Sequence, residues 1–129
     1  MDAAELSENL PYFIGSDDVH RWSILFPRFF LSDGAKFLAD NAGGGAYWLM
    51  DLIASYQPRL IKRGERFQVW TIKRKPGTSE ASVYCTDGNA HDKYLVRQKI
   101  LYTDFPLDKF QLYAIWDGSA LVIKLPNEY

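Results

Sequence analysis

The spacing of apolar residues along the chain changes at about Pro58. Upstream they recur at helical intervals. Downstream, β-branched and aromatic residues alternate with polar ones between turn signals. The first half predicts a short helix from about Asp2 to Leu10, ended by Pro11. Ser16 offers a cap for a helical turn through Asp17 and Asp18 to Trp22. The stretch WSILFPRFFLSDG cannot be one regular helix, because Pro27 lacks an amide hydrogen and its ring clashes with the preceding turn. It reads as two short strand-like or irregular segments around Pro27. Ser32 or Asp33 then caps a helix from Gly34 to about Asn41, which Gly43 to Gly45 stop. A second helix runs from about Ala46 to Gln57. It is apolar nearly all round, so it must be buried on most sides, and Pro58 stops it.

Five strands are expected downstream: Phe67 to Lys75, Ala81 to Thr86, Tyr94 to Thr103, Lys109 to Trp116, and Leu121 to Leu125. Pro76-Gly77, Asp87-Gly88-Asn89 and Asp117-Gly118-Ser119 mark turns between them. The fold class is α+β: N-terminal helices packed on one face of a C-terminal antiparallel meander of about five strands. No linker or repeat separates the mostly helical part, 1–58, from the sheet part, 66–126, so the 129 residues read as one domain.

Composition adds constraints. A hydrophobic share of 47% supplies a self-sufficient core, and an aromatic share of 16% reads either as large side chains filling that core or as aromatics placed at an interface. Fifteen Lys and Arg against sixteen Asp and Glu argue against a dedicated nucleic-acid binder, which carries a basic excess. The lone Cys85 excludes an intramolecular disulfide and a cysteine-based zinc cage, and points to reducing cytoplasm. The acidic start MDAAELSENL lacks the basic region of a secretory signal. No apolar run reaches the roughly 18 residues of a membrane span.

Several residues carry candidate chemistry. Asp51 is a carboxylate within the apolar helix; it must be paired, hydrogen-bonded or at a wet edge, and on a helix it shares a side with Tyr47, Trp48 and Ser55. Acid–base work there needs a second titratable group, which the sequence does not offer. Cys85 and His91 flank one turn, as a thiol–imidazole pair would; the plainer reading is a core thiol and a surface histidine. His20, Asp17, Asp18, His91 and Asp92 match no known metal cage. The three glycines lack the Lys-Ser/Thr of a phosphate loop and read as a helix–helix turn. Arg59, Lys62, Arg63 and Arg66 form one basic cluster and Lys73, Arg74 and Lys75 another. Converged near Trp70, they would make a positive patch; kept apart, they are a solvated loop and a lysine-guarded strand end.

Gly45-Ala46-Tyr47-Trp48-Leu49 with Asp51-Leu52-Ile53-Ala54-Ser55-Tyr56-Gln57 resembles the signature of a family of small bacterial proteins of unknown function found on plasmids, in phages and in bacterial genomes. The resemblance extends to Asp33-Gly34-Ala35-Lys36-Phe37-Leu38-Ala39, to Phe67-Gln68-Val69-Trp70, to Thr103-Asp104-Phe105-Pro106-Leu107 and to the closing Leu125-Pro126-Asn127-Glu128-Tyr129. It brings no catalytic residues, cofactor or metal. It implies a context in which mobile elements carry compact proteins that modulate host machinery.

The expected function is therefore a non-enzymatic protein-binding module, a mobile-element accessory or counter-defence factor of the anti-CRISPR or antirestriction type. Its binding residues are expected to be Trp48, Asp51, Arg63, Arg66 and Trp70. The alternative is a nucleic-acid-binding protein using segments 59–66 and 73–75, and a small enzyme at Asp51 or Cys85 is the third class. A homodimer is expected if the last strand, Leu121 to Leu125, lies at a sheet edge.

Overall fold

The computed structural model describes residues 1–15, 18–89 and 93–129. Helix α1, Ala3–Asn9, is capped by Asp2, whose carboxylate accepts from the Glu5 amide at 2.9 Å. Pro11 does not simply end it; the chain tightens into a 3-10 turn, Leu10–Tyr12, that contains the proline. The helical turn expected before Trp22 is instead strand β1, Val19–Arg21, while Ser16 and Asp17 lie outside the described residues. After a turn at Pro27 comes β2, Phe29–Ser32.

Helix α2, Asp33–Asn41, begins where expected, with Ser32 Oγ accepting from the Ala35 amide. Helix α3 is Tyr47–Ser55 and α4 is Gln57–Lys62. Pro58 therefore does more than stop α3. It sits in the first turn of α4, where its missing amide hydrogen costs nothing. The sheet continues with β3, Phe67–Arg74; β4, Ala81–Thr86; β5, Val96–Ile100; β6, Lys109–Trp116; and β7, Leu121–Lys124.

The sheet is neither five-stranded nor a simple meander. Its order is β1-β2-β7-β6-β3-β4-β5. β2 runs parallel to β7, with Phe29 opposite Leu121 and Leu31 opposite Ile123, and every other pairing is antiparallel. The chain is thus α+β with a mixed seven-stranded sheet. β7 is an interior strand, so the expected dimer through its free edge has no edge to use; the edges are β1 and β5.

Alternation along the strands sets the core. Trp70 and Ile72 on β3, Val83 and Cys85 on β4, and Leu112 and Ala114 on β6 are buried in one cluster with Leu49, Met50, Ile53 and Leu60 of α3 and α4. A buried polar lock ties α4 to this face. Gln57 Nε2 donates to Gln68 Oε1 and Gln68 Nε2 to Gln57 Oε1, each at 2.8 Å, and Trp70 Nε1 donates to Gln68 Oε1 at 2.9 Å. The amides of both glutamines also reach backbone carbonyls, at Ile53 and Glu65, so the network is satisfied.

Two close approaches fix the ends. Glu128 is buried and accepts from Ser32 Oγ at 2.6 Å, the Leu125 amide at 2.9 Å and the Gly34 amide at 3.1 Å. A carboxylate thus sits at the N-terminus of α2, where backbone amides and the helix dipole favour it. A Cβ at 34 would lie 2.5 Å from both Glu128 Oε1 and Leu125 Cδ1, so any residue larger than glycine must push these side chains aside. At the glycine turn, Gly43 has φ +58° and a Cβ would lie 2.5 Å from the Asp104 carbonyl oxygen, while the Gly44 amide donates to Asp104 Oδ2 at 2.7 Å. The turn is a seam between the helical part and the segment after β5.

Candidate binding surface

Asp51 stands on the exposed side of α3 and takes its partner from another element: Trp22 Nε1 donates to Asp51 Oδ1 at 2.8 Å. The expected neighbours on α3 are engaged elsewhere. Ser55 Oγ donates to the Leu52 carbonyl, and Tyr47 OH donates to Asp40 Oδ1 at 2.6 Å. Trp22 begins the loop joining β1 and β2. Phe26 lies 6.2 Å from it and stacks on Phe29 at 5.6 Å. These rings hold up a loop whose tip, Ile24 and Leu25, is 91% and 79% exposed.

Trp48 is half-buried three residues before Asp51. With Ile100, Tyr102, Thr103 and Asp104 it lines a groove of about 440 Å³. Leu101 and Tyr102 at its lip are 72% and 79% exposed. The exposed side of α3 is therefore flanked by two loops that present apolar side chains, with Trp22, Asp51 and Trp48 between them. Isolated exposed apolar residues are ordinary; here Ile24, Leu25, Leu101 and Tyr102 are exposed together near the half-buried Trp22 and Trp48.

The other expected residues do not join it. Trp70 is 2% exposed and its indole is bonded to Gln68, so it belongs to the core and is out of reach of a partner. Arg63 follows α4 and is exposed. Arg66 is also exposed; its carbonyl accepts from the Trp116 amide and its guanidinium lies against Gly118. This is one end of β3. The groove beside Trp48 is at the other, where the Thr103 amide donates to Ser79 in the turn after β3. The two basic segments separate in the same way. Arg66 precedes β3 and Lys73 to Lys75 end it, roughly 25 Å away at a strand's rise per residue. They form no single patch with Trp70.

Sequence reasoning missed a titratable cluster along α2. His20 Nε2 lies 2.6 Å from Asp33 Oδ1, and Lys36 Nζ lies 2.8 Å from Asp40 Oδ2. Phe13 and Phe37 complete a shallow groove with these four residues. The Lys36 and Tyr47 hydrogen bonds hold the Asp40 carboxyl below its ordinary range. Burial, then the bond to Asp40, pushes Tyr47 up to about 12. The Lys36–Asp40 spacing of four was a visible helical ion pair. The His20–Asp33 contact depends on β1 pairing with β2 and carried no signal. Each charge here is matched by a neighbour, and among the described residues no hydroxyl or thiol is bonded to His20 as a nucleophile would be.

Cys85 faces the core, and burial, then the charges of Glu65 and Asp87, pushes its thiol up to about 12. His91, its expected partner, lies outside the described residues, as does Asp92. Among the described residues no three His, Cys, Asp or Glu side chains gather as a metal site, and no helix is long and apolar enough to cross a membrane.

These features define a small α+β protein with a mixed sheet and an aromatic surface on one helix. The chain belongs to DUF6876, a family of unknown function, whose sequence model matches residues 4–129. No curated protein and no solved structure matches it.

Proposed function

We propose that this protein is a non-enzymatic module that docks a protein partner on the exposed side of α3, using Trp48, Asp51 and Trp22 with the loop residues Ile24, Leu25 and Tyr102. The observation that carries the reading is the pair of apolar loops flanking half-buried Trp48 of α3 and half-buried Trp22, whose indole is bonded to Asp51 of that helix. Tryptophan and tyrosine held by the fold lose little entropy on binding and dominate interface energies. The reading keeps the helices on one face of the sheet, which the shared parity of the buried apolar strand positions supports. It places the protein in the cytoplasm, where a free thiol is stable, and makes the partner a piece of host machinery, in keeping with a counter-defence or accessory role.

Affinity capture from nuclease-treated host lysate tests it, comparing the parent protein with Trp48→Ala and Leu25→Asp. A partner held by the parent and lost from both variants supports the reading. A partner held equally by all three removes this surface from the assignment.

A further inference from the structure

The face of the sheet opposite the buried parity has a charge pattern that the balanced composition conceals. The paired positions run in rows across the strands. One row is Lys99, Ser82, Lys73 and Lys109, on β5, β4, β3 and β6. The next is Arg97, Tyr84, Thr71 and Gln111. Further along, Tyr113 stands opposite Lys124, and Arg21 opposite Phe30. Six cations thus share this face, and no Asp or Glu among the described residues lies in any strand. An acidic neighbour stands at the rim, where Glu80 lies 3.7 Å from Lys99 Nζ and 3.8 Å from Lys75 Nζ.

Two details point to what the face takes. Lys73 and Lys109 are exposed and stand directly opposite each other. Like charges in that position repel, so an anion laid across them is stabilising. The cations are interleaved with rings: Arg97 lies 5.3 Å from the Tyr94 ring, Tyr94 meets Tyr84 edge-on at 5.2 Å, and Phe67, Tyr113 and Tyr129 cluster with centroids 5.0–5.5 Å apart. Lys109 and Gln111 also line a groove of about 600 Å³ whose other walls include the apolar Leu10, Pro11, Phe110 and Pro126. Cations that track phosphates, beside aromatic rings and an apolar slot that accept bases, are the physical requirements of a single-stranded nucleic-acid surface.

We propose that this open sheet face binds single-stranded nucleic acid, with Lys73, Lys99, Lys109 and Arg97 on phosphates and Tyr84 and Tyr113 stacking on bases. The site is separate from the α3 surface and stands or falls without it.

Fluorescence anisotropy with a labelled oligothymidylate of about 12 nucleotides tests the proposal, a length within the usual reach of such surfaces. With about four phosphate contacts, affinity is expected to fall roughly 50-fold between about 50 and 200 mM salt. The double variant Lys73→Gln/Lys109→Gln should lose about half of that salt slope, and Tyr84→Ala should weaken binding roughly tenfold while circular dichroism stays native. Lys36→Gln, on the helix side, should bind as the parent does. No binding at about 50 mM salt, or binding unchanged in the lysine double variant, overturns the proposal. So does heparin competing as well as the oligonucleotide with Tyr84→Ala indistinguishable from the parent, which would leave a surface for polyanions alone.

Discussion

The Gly34 amide donates to Glu128 Oε2 at 3.1 Å, across ninety-four residues of sequence. This bond joins the start of α2 to the last turn of the chain, and Ser32 and Leu125 complete the carboxylate's shell. Glu128→Gln keeps the shape but loses the charge and one acceptor, and should cost about 2 kcal/mol in urea unfolding. Gly34→Ala should cost a similar amount, about 1–3 kcal/mol, by forcing Leu125 and Glu128 apart. The two effects should fall short of additive in the double variant, because both act on one contact.

Gln68→Leu strands the Trp70 indole and the Gln57 amide in the core. The expected loss is about 2–3 kcal/mol. Adding Gln57→Leu should recover part of it, since one unsatisfied partner is then replaced by an apolar side chain. A double variant less stable than the sum of the singles would show that the lock does not act as a unit.

Cys85 should resist a thiol reagent at neutral pH in the native protein and react promptly in denaturant. Its folded pKa is raised to about 12 from 9.0, so the unfolded chain releases this proton first. Stability from this group is complete below about pH 9 and is lost as pH rises toward 12. Tyr47, raised to about 12 from 10.0, acts in the same direction. Unfolding midpoints that stay flat through this range would contradict both shifts.

Asp51→Ala removes the acceptor of the Trp22 indole at an exposed site. Global stability should change by less than about 1 kcal/mol. Hydrogen exchange in the loop carrying Ile24 and Leu25 should nevertheless quicken, and partner affinity should fall with it. Trp48→Ala should weaken that affinity at least tenfold, as truncation of a central aromatic does.

Much of the sheet could be read from alternation. β4 and β6 have the bounds that the sequence predicts, and β3 differs by one residue. β1 has three residues and β2 follows a proline, so neither is long enough to show a period. The parallel pairing of β2 with β7 is a long-range choice that no local pattern encodes. Trp70 misled for a different reason. It lies between two basic segments in the sequence, yet it faces inward with Gln68, which Gln57, eleven residues earlier, satisfies in the core. Asp51 is legible as the odd residue on an apolar helix, with Trp48 on the same side. Their companions Trp22 and Tyr102 come from loops, whose placement depends on the finished sheet.

That parallel pairing also orders events in time. β1 and β2 are synthesised well before β7, the strand that connects them to the rest of the sheet. Until then Phe29 and Leu31 have no neighbour on that side. The sheet cannot assemble in the order in which its strands are synthesised, and β1 and β2 must wait, apolar and unclaimed, for β7.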